Sequence, residues 1–349
     1  MGAVRMFRVL VVEDSPVARE LITHLLTRDP QITVTAVAGD GVEAVRLTQE
    51  LQPDVILMDV HMPRMNGLEA TREIMRTTPT PIVVMSATSV GTEAAMVFEA
   101  TQAGALTFVQ KPGAAASDQD GAHRLVEMVK AMAEVKVIGR RHQRSGPPRE
   151  VVAPATRPSQ AVRVIAIGAS TGGPPALMAI LKALPRNFAL PVVMVQHITP
   201  GFTEGLATWL ASASSFDVQV ARDGEVLQGG RAYLPPDGVQ VVVAAGNRIQ
   251  LVPRLPEQTF CPSIDRLFKS VAEVFGPAAL GIILTGMGRD GAEGLRRMRE
   301  SGGLTIAQDE ASSAVFGMPK EAARLKAAIY VLPLTKIPGL IVENVARGV

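Results

Sequence analysis

Cysteine is almost missing from this sequence: Cys261 stands alone in 349 residues. One thiol can form neither an internal disulfide nor a cysteine-rich zinc site, and it fits a reducing cytosol. Excess charge of one sign is missing too. Lys and Arg number 35 and Asp and Glu 33, a formal net charge of +2, which gives no overall reason to expect a polyanionic partner such as nucleic acid. The most apolar runs, such as "AALGIILTG" (278–286), are about half the length of a bilayer-spanning helix. The start "MGAVRMF" offers Gly2, but Met6 breaks the myristoylation pattern, and no secretory n-region and h-region are present. These absences lead us to expect a cytoplasmic chain without direct membrane insertion. Histidine is scarce as well, with only five, at 24, 61, 123, 142 and 197.

What remains is a soluble globular composition, 47% hydrophobic and 19% charged. Domains usually run about 100–200 residues, so two are expected. Residues 139–160, "GRRHQRSGPPREVVAPATRPSQ", lack any helical or strand period and cannot bury enough apolar surface to order themselves. Their five arginines have no interleaved aromatics, so a solvated linker fits better than a nucleic-acid patch. The expected division is 1–125, a helix end and flexible linker over 126–160, and 161–349.

The first division alternates strand and helix five times. Strands are expected at 7–12, 33–38, 54–60, 81–87 and 105–111, and helical spacing such as Val17, Leu21, Ile22 and Leu25 fills the gaps. Short βα alternation implies a parallel sheet covered on both faces. Glu13 and Asp14 close the first strand, Asp59 the third, Ser86 the fourth and Lys111 the fifth. Carboxyl ends of parallel strands are where open α/β sheets bind ligands. Three carboxylates converging there would repel one another without a hard cation, and oxygen-only ligands favour Mg²⁺. A carboxylate beside Mg²⁺, a hydroxyl and a lysine can attack a phosphoryl group. In these residues the segment resembles the response-regulator receiver family over about 6–125. The resemblance implies a flavodoxin-like (βα)5 fold of strand order 2-1-3-4-5. It also implies phosphorylation of Asp59, and Mg²⁺ held by Glu13, Asp14, Asp59 and the backbone carbonyl of His61. Ser86 and Lys111 would sense the phosphate, and Phe108 would hold the aromatic switch position.

The second division restarts with βα pieces. Strands are expected at 162–168, 191–197, 279–285 and 304–307, with another near 329–332. Between them "FDVQVA", "RAYLPP", "VQVVVAA" and "RIQLV" read as antiparallel hairpins inserted in the α/β domain, with a Gly-Asn turn in "AAGNRIQ". The run "VRVIAIGASTGGPPAL" (162–177) contains G-x-S-x-G around Ser170, the pattern of a nucleophile elbow between strand and helix. A glycine-rich strand–helix turn binds phosphates as readily, although neither G-x-G-x-x-G nor a P-loop lysine is present. Of the five histidines only His197 follows the linker, and it closes the run "PVVMVQH". Asp290, in "GIILTGMGRDGAEGL", could orient that imidazole. It could equally cap a helix over 291–299, and Asp265, Asp309 and Glu310 are rival acids.

Chain order is then Ser, His, Asp, whereas an α/β-hydrolase runs Ser, Asp, His, so the elbow does not bring that fold with it. In "IGASTGGPPAL", "VQHITPGFT", "PSID", "ILTGMGRDGAEGL" and "AQDEASSAVFGMP" this half resembles the catalytic domain of the chemotaxis methylesterase family. With the receiver segment, the resemblance covers nearly the whole chain in that family's order. It implies Ser170 as nucleophile, His197 as general base and acid, and Asp290 as the histidine's partner. Met287 would lend a backbone N–H to the oxyanion beside Thr171, and the esterase site would need no cofactor. The implied reaction is hydrolysis of glutamate γ-methyl esters on chemoreceptors, with deamidation of receptor glutamines as the same acyl chemistry. The implied partners are methylated chemoreceptors and a chemotaxis histidine kinase. A phospho-acceptor joined to a hydrolase further leads us to expect that the unphosphorylated first half restrains the Ser170 site. A binding protein without catalysis and a receiver-linked transcription factor are the rival classes; the second would need a basic recognition helix after the linker.

Overall fold

In the computed structural model, residues 5–87, 91–112, 119–135, 137, 160–214, 216–254 and 259–346 are described. The expected linker therefore lies, but for Gln160, outside the described residues. The chain divides into two compact units, Met1–Arg144 and Ser145–Val349.

In the first unit, β1 (Phe7–Val12), β2 (Ile32–Ala38), β3 (Val55–Asp59), β4 (Ile82–Ser86) and β5 (Thr107–Gln110) alternate with five helices. These are α1 (Pro16–Thr27), α2 (Gly41–Leu51), α3 (Gly67–Thr77), α4 (Gly91–Ala103) and α5 (Gln119–Ala133). The sheet is parallel in the order β2-β1-β3-β4-β5, as the receiver resemblance implies. Every residue of β3 and β4 is buried, because helices cover both faces of the sheet. Side chains of Ser15, Asp40 and Asn66 cap α1, α2 and α3, each accepting a backbone N–H of the first turn. The last helix carries the unit past residue 125: Val129, Met132 and Ala133 join Leu125 in the core with Val9, Val11, Leu57 and Val83.

The second unit is built on seven parallel strands. They are β6 (Val164–Ala169), β7 (Val192–Gln196), β8 (Asp217–Val220), β9 (Arg231–Leu234) and, after a separate hairpin, β12 (Ala279–Ile283), β13 (Leu304–Gln308) and β14 (Tyr330–Leu332). Their order is β14-β13-β12-β6-β7-β9-β8, all neighbours parallel. The helices are α6 (Gly173–Ala183), α7 (Thr203–Ala213), α8 (Ile264–Phe275), α9 (Ala292–Glu300), α10 (Met318–Arg324) and α11 (Ile337–Ala346). Strands β6, β7, β12 and β13 are buried throughout, and Leu267, Phe268, Val271 and Phe275 of α8 pack with Val164, Val193 and Ile283.

The expected hairpin section is present but smaller than expected. Among the described residues only β10 (Val239–Ala244) and β11 (Arg248–Pro253) form an antiparallel hairpin, turning through Gly246 and Asn247, both at positive φ. "FDVQVA" and "RAYLPP" instead supply β8 and β9, which pair in parallel at the edge of the main sheet. The segment 221–230 between them is too long for a tight turn, and it crosses over on the hairpin. Gly224 and Leu227 donate their N–H groups to the carbonyls of Ile249 and Asn247, each at 2.8 Å, and Ile249 N–H returns to Glu225 O at 2.7 Å. Backbone groups satisfied in this way need no helix in the crossover.

The strand order fixes where a ligand can enter. From β6 the chain adds β7 and then β9 on one side, and later places β12, β13 and β14 on the other. The carboxyl ends of β6 and β12 thus flank the point where the winding reverses, the place open α/β sheets keep for chemistry.

Candidate active site

Ser170 begins the turn between β6 and α6. Its N–H donates to Thr285 O at 3.0 Å, and its carbonyl accepts the Gly173 N–H at 2.7 Å. Gly172 sits at φ +73°, a left-handed conformation that costs glycine little. Glycine is needed at 286 for a different reason: a Cβ there would lie 2.7 Å from Ser170 Cβ. The loop after β12 can therefore run directly beside the serine.

Ala169 pairs with Gln196 across β6 and β7, so Ser170 and His197 leave adjacent strands side by side, and His197 N–H donates to Ala169 O at 2.9 Å. His197 Nε2 lies 2.9 Å from Asp290 Oδ2. An Nε2–H directed at the carboxylate leaves Nδ1 with the lone pair of a base. The ring of Phe260 stacks on the imidazole, centroids 4.9 Å apart and planes within 5°. Among the described residues no hydrogen bond joins the Ser170 hydroxyl to His197, a contact that commonly tightens only around substrate.

Asp290 is 5% exposed and tightly held. Beyond His197, its carboxylate accepts the Ile264 N–H at 2.8 Å, the Asp265 N–H at 3.1 Å and the Ser263 hydroxyl at 3.0 Å. Those two amides are orphan donors of the first turn of α8, where the helix dipole favours an anion. Burial works against the charge, but the His197 contact and these amides outweigh it and hold Asp290 below the usual aspartate range. Asp290 is not the cap of α9. That helix begins at Gly291 with no side-chain cap, and Asp290 turns to α8 instead. Ile264 makes the approach possible: a Cβ at Gly291 would lie 2.5 Å from its Cγ2, and one at Gly168 would collide with the same side chain. Of the rival acids, Asp265 accepts the Gly294 N–H at 2.6 Å, and Asp309 holds the Ser312 N–H and hydroxyl. Among the described residues His197 has one carboxylate partner, Asp290.

Thr171 and Met287 flank the serine from two loops. The Thr171 carbonyl accepts the Thr285 hydroxyl at 2.9 Å, and Met287 is 39% exposed. Among the described residues neither N–H is paired with a backbone acceptor.

The first unit carries a second polar constellation at its own strand ends. Glu13, Asp14 and Asp59 each offer an oxygen within 4.8 Å of the others. Lys111 Nζ bridges Glu13 and Asp59 at 2.9 Å each, and Lys111 N–H donates to Ser86 O at 2.8 Å. Burial pushes the Asp59 carboxyl above the usual aspartate range, although Lys111 and the amides of His61 and Val60 pull the other way. Glu13 is raised by burial too, with the charge of Asp59 adding to it. An all-oxygen acidic trio suits a hard divalent cation. Ser86 is buried beside it; Phe108 is buried and meets Phe98 edge-to-face, centroids 5.4 Å apart.

Residues 165–341 match the family model for the CheB methylesterase, and residues 9–118 match that for the response regulator receiver domain. The protein-glutamate methylesterase/protein-glutamine glutaminase 1 of Syntrophus aciditrophicus is 48% identical over 97% of this chain and 98% of its own length. The protein of that name from Nitrosospira multiformis is 47% identical over 98% of both chains. This chain belongs to the CheB methylesterase family. The solved CheB methylesterase catalytic domain of Thermotoga maritima aligns with a TM-score of 0.51 at 38% identity, covering 52% of this chain and 98% of that one. This CheB family member therefore joins a receiver domain to a methylesterase domain.

Several groups around the CheB site escape sequence reasoning. Ser263, Ile264 and Asp265 fall in the quoted "PSID", but their signal is that of a helix start, with Ser263 as N-cap of α8. Nothing local reveals that the acid received there comes from another loop. Phe260 and Gln196 are likewise placed by tertiary approach rather than by any motif.

Proposed function

We propose that this protein hydrolyses γ-methyl esters of glutamate on chemoreceptors, releasing methanol. The observation that carries the reading is the 2.9 Å contact from His197 to a buried Asp290 held by three further donors, beside Ser170 at the switch point of the sheet. His197 Nδ1 accepts the Ser170 proton as Oγ bonds to the ester carbonyl carbon. The carbonyl oxygen becomes an oxyanion facing the N–H groups of Thr171 and Met287. Collapse of this intermediate breaks the bond to the methoxy oxygen, which leaves as methanol with the proton from His197. Water then attacks the acyl-serine, His197 takes its proton and returns it to Ser170 Oγ, and glutamate is freed. Asp290 stays ionised throughout and fixes the imidazole. A glutamine side chain enters the same path with ammonia as the leaving group. No step needs a cofactor at this site.

The first unit supplies the control. Asp59 is the phospho-acceptor and a histidine kinase the donor, and phosphorylation relieves restraint on the Ser170 site. Glu13, Asp14 and Asp59 with the His61 carbonyl would hold Mg²⁺, which when bound offsets the charge of the acidic trio and of the incoming phosphoryl group. Lys111 and Ser86 contact the phosphate, and Phe108 turns with the switch. The chain works in the cytoplasm, where the methylated segments of its receptors lie. Among the described residues no helix is long and apolar enough to cross a membrane. Methanol release from methylated receptor membranes tests the reading: wild type with a small phosphodonor should release it, and no release above the membrane blank would overturn the assignment.

A further inference from the structure

The loops that carry Ser170 and His197 share a buried side chain outside the triad. Gln196 is the last residue of β7 and 3% exposed. Its Nε2 lies 2.8 Å from Ser170 O and 2.8 Å from His197 O. Two carbonyl oxygens can be faced only by the NH₂ end of the amide, so the orientation of Gln196 is fixed by its partners. Both amide hydrogens are spent on these two residues. The opposite oxygen, Oε1, is buried with no hydrogen-bond partner and abuts Gly173. A buried acceptor left unpaired is unfavourable, and buried polar atoms are rarely left so. The Ser170 carbonyl also accepts the Gly173 N–H, which already closes the elbow turn. What Gln196 adds is a direct tie from the serine's carbonyl to the histidine's.

We propose that Gln196 is a positioning residue for the Ser170–His197 pair, setting the separation of nucleophile and base from below. The proposal rests on the esterase reading of those two residues. Rate is sensitive to such a separation: a misplacement of about 1 Å can cost on the order of 10²-fold. Gln196 is buried, so the expected change is in kcat rather than in KM.

The full chain is compared as wild type, Gln196→Leu, Gln196→Glu and Ser170→Ala, by methanol release and by the rate at which a fluorophosphonate probe labels Ser170. In Gln196→Leu, kcat and the labelling rate should each fall by about 10- to 100-fold with KM within about twofold. Gln196→Glu keeps the shape and gives the pH signature. Its ionised carboxylate opposes both carbonyls, whereas its protonated form recovers one donor. The ratio of its kcat to that of wild type should therefore rise as pH falls. This variant carries the test if the leucine variant does not fold. Wild-type labelling and kcat in either variant, or a Gln196→Glu ratio flat with pH, would overturn the proposal. The serine arm separates the two readings: an active, labelled Ser170→Ala would overturn the nucleophile assignment itself, and the Gln196 proposal with it.

Discussion

Two buried aspartates, Asp59 and Asp290, stand at the carboxyl ends of parallel sheets in the same chain, and their acidities are moved in opposite directions. Both are removed from water, which disfavours the charged form. Asp290 receives two helix amides, a hydroxyl and His197, and its charge is held. Asp59 shares its one ammonium, Lys111, with Glu13 and lies beside that second acid, and burial prevails. A fully solvated anion is a poor nucleophile, and a fully bonded one is worse. On the proposed reading, the difference separates an acid that must react from one that must stay charged: burial keeps Asp59 less acidic despite Lys111 and the amides of His61 and Val60. Helix starts differ in part between the two units. The first three helices of the receiver are capped by side chains, whereas α6, α9 and α10 begin at Gly172, Gly291 and Gly317 without one. The amides that hold Asp290 belong to α8, a helix of the same unit that Ser263 caps with its side chain.

The largest expected effect comes from removing the group that both halves serve. Ser170→Ala should lower kcat for methanol release by on the order of 10⁶-fold, leaving phosphorylation of Asp59 intact by phosphoprotein gel. Asp290→Asn tests whether the held charge matters apart from the space it fills. It should lower kcat by about 10⁴-fold, because an amide lets the imidazole adopt the wrong tautomer. A loss under about tenfold in steady-state assays would show that Asp290 only packs. Asp59→Asn breaks the other side of the comparison: the phosphodonor should no longer raise the rate, while unstimulated turnover persists. The smallest effect is on stability. Asp290 is more acidic folded than unfolded, so it contributes stability above the ordinary aspartate value of about 3.9 and loses that contribution as pH falls below it. Urea midpoints between pH 3 and 7 should fall more steeply on the acid side in wild type than in Asp290→Asn. Asp59 is shifted the other way and cannot supply that acid limb.

How much of this was legible before the fold depended on whether a feature was local. Ten strands of the two main sheets stood out as apolar runs, and seven of them ended near a candidate site residue. Glycines in "GASTGG" marked the elbow by conformation alone. The β8–β9 pairing was not legible, since short strands spaced by glycine read the same whether the chain returns by a hairpin or by a crossover. Asp290 was found as an acid in the right loop, yet its choice over Asp265 was not decidable from spacing. In the fold Asp290 meets His197, while Asp265 turns to the Gly294 N–H. Gln196 and Phe260 were invisible because their roles come from what lies across from them.

Ile264 joins several of these features in one side chain. It fills the space left by two glycines, Gly168 and Gly291, and its own amide holds Asp290. The position of the Asp290 carboxylate is therefore tied to the tightness of a hydrocarbon contact. Trimming that side chain would open a cavity under the Asp290 loop, so Ile264→Ala should lower methanol release as well as the urea midpoint.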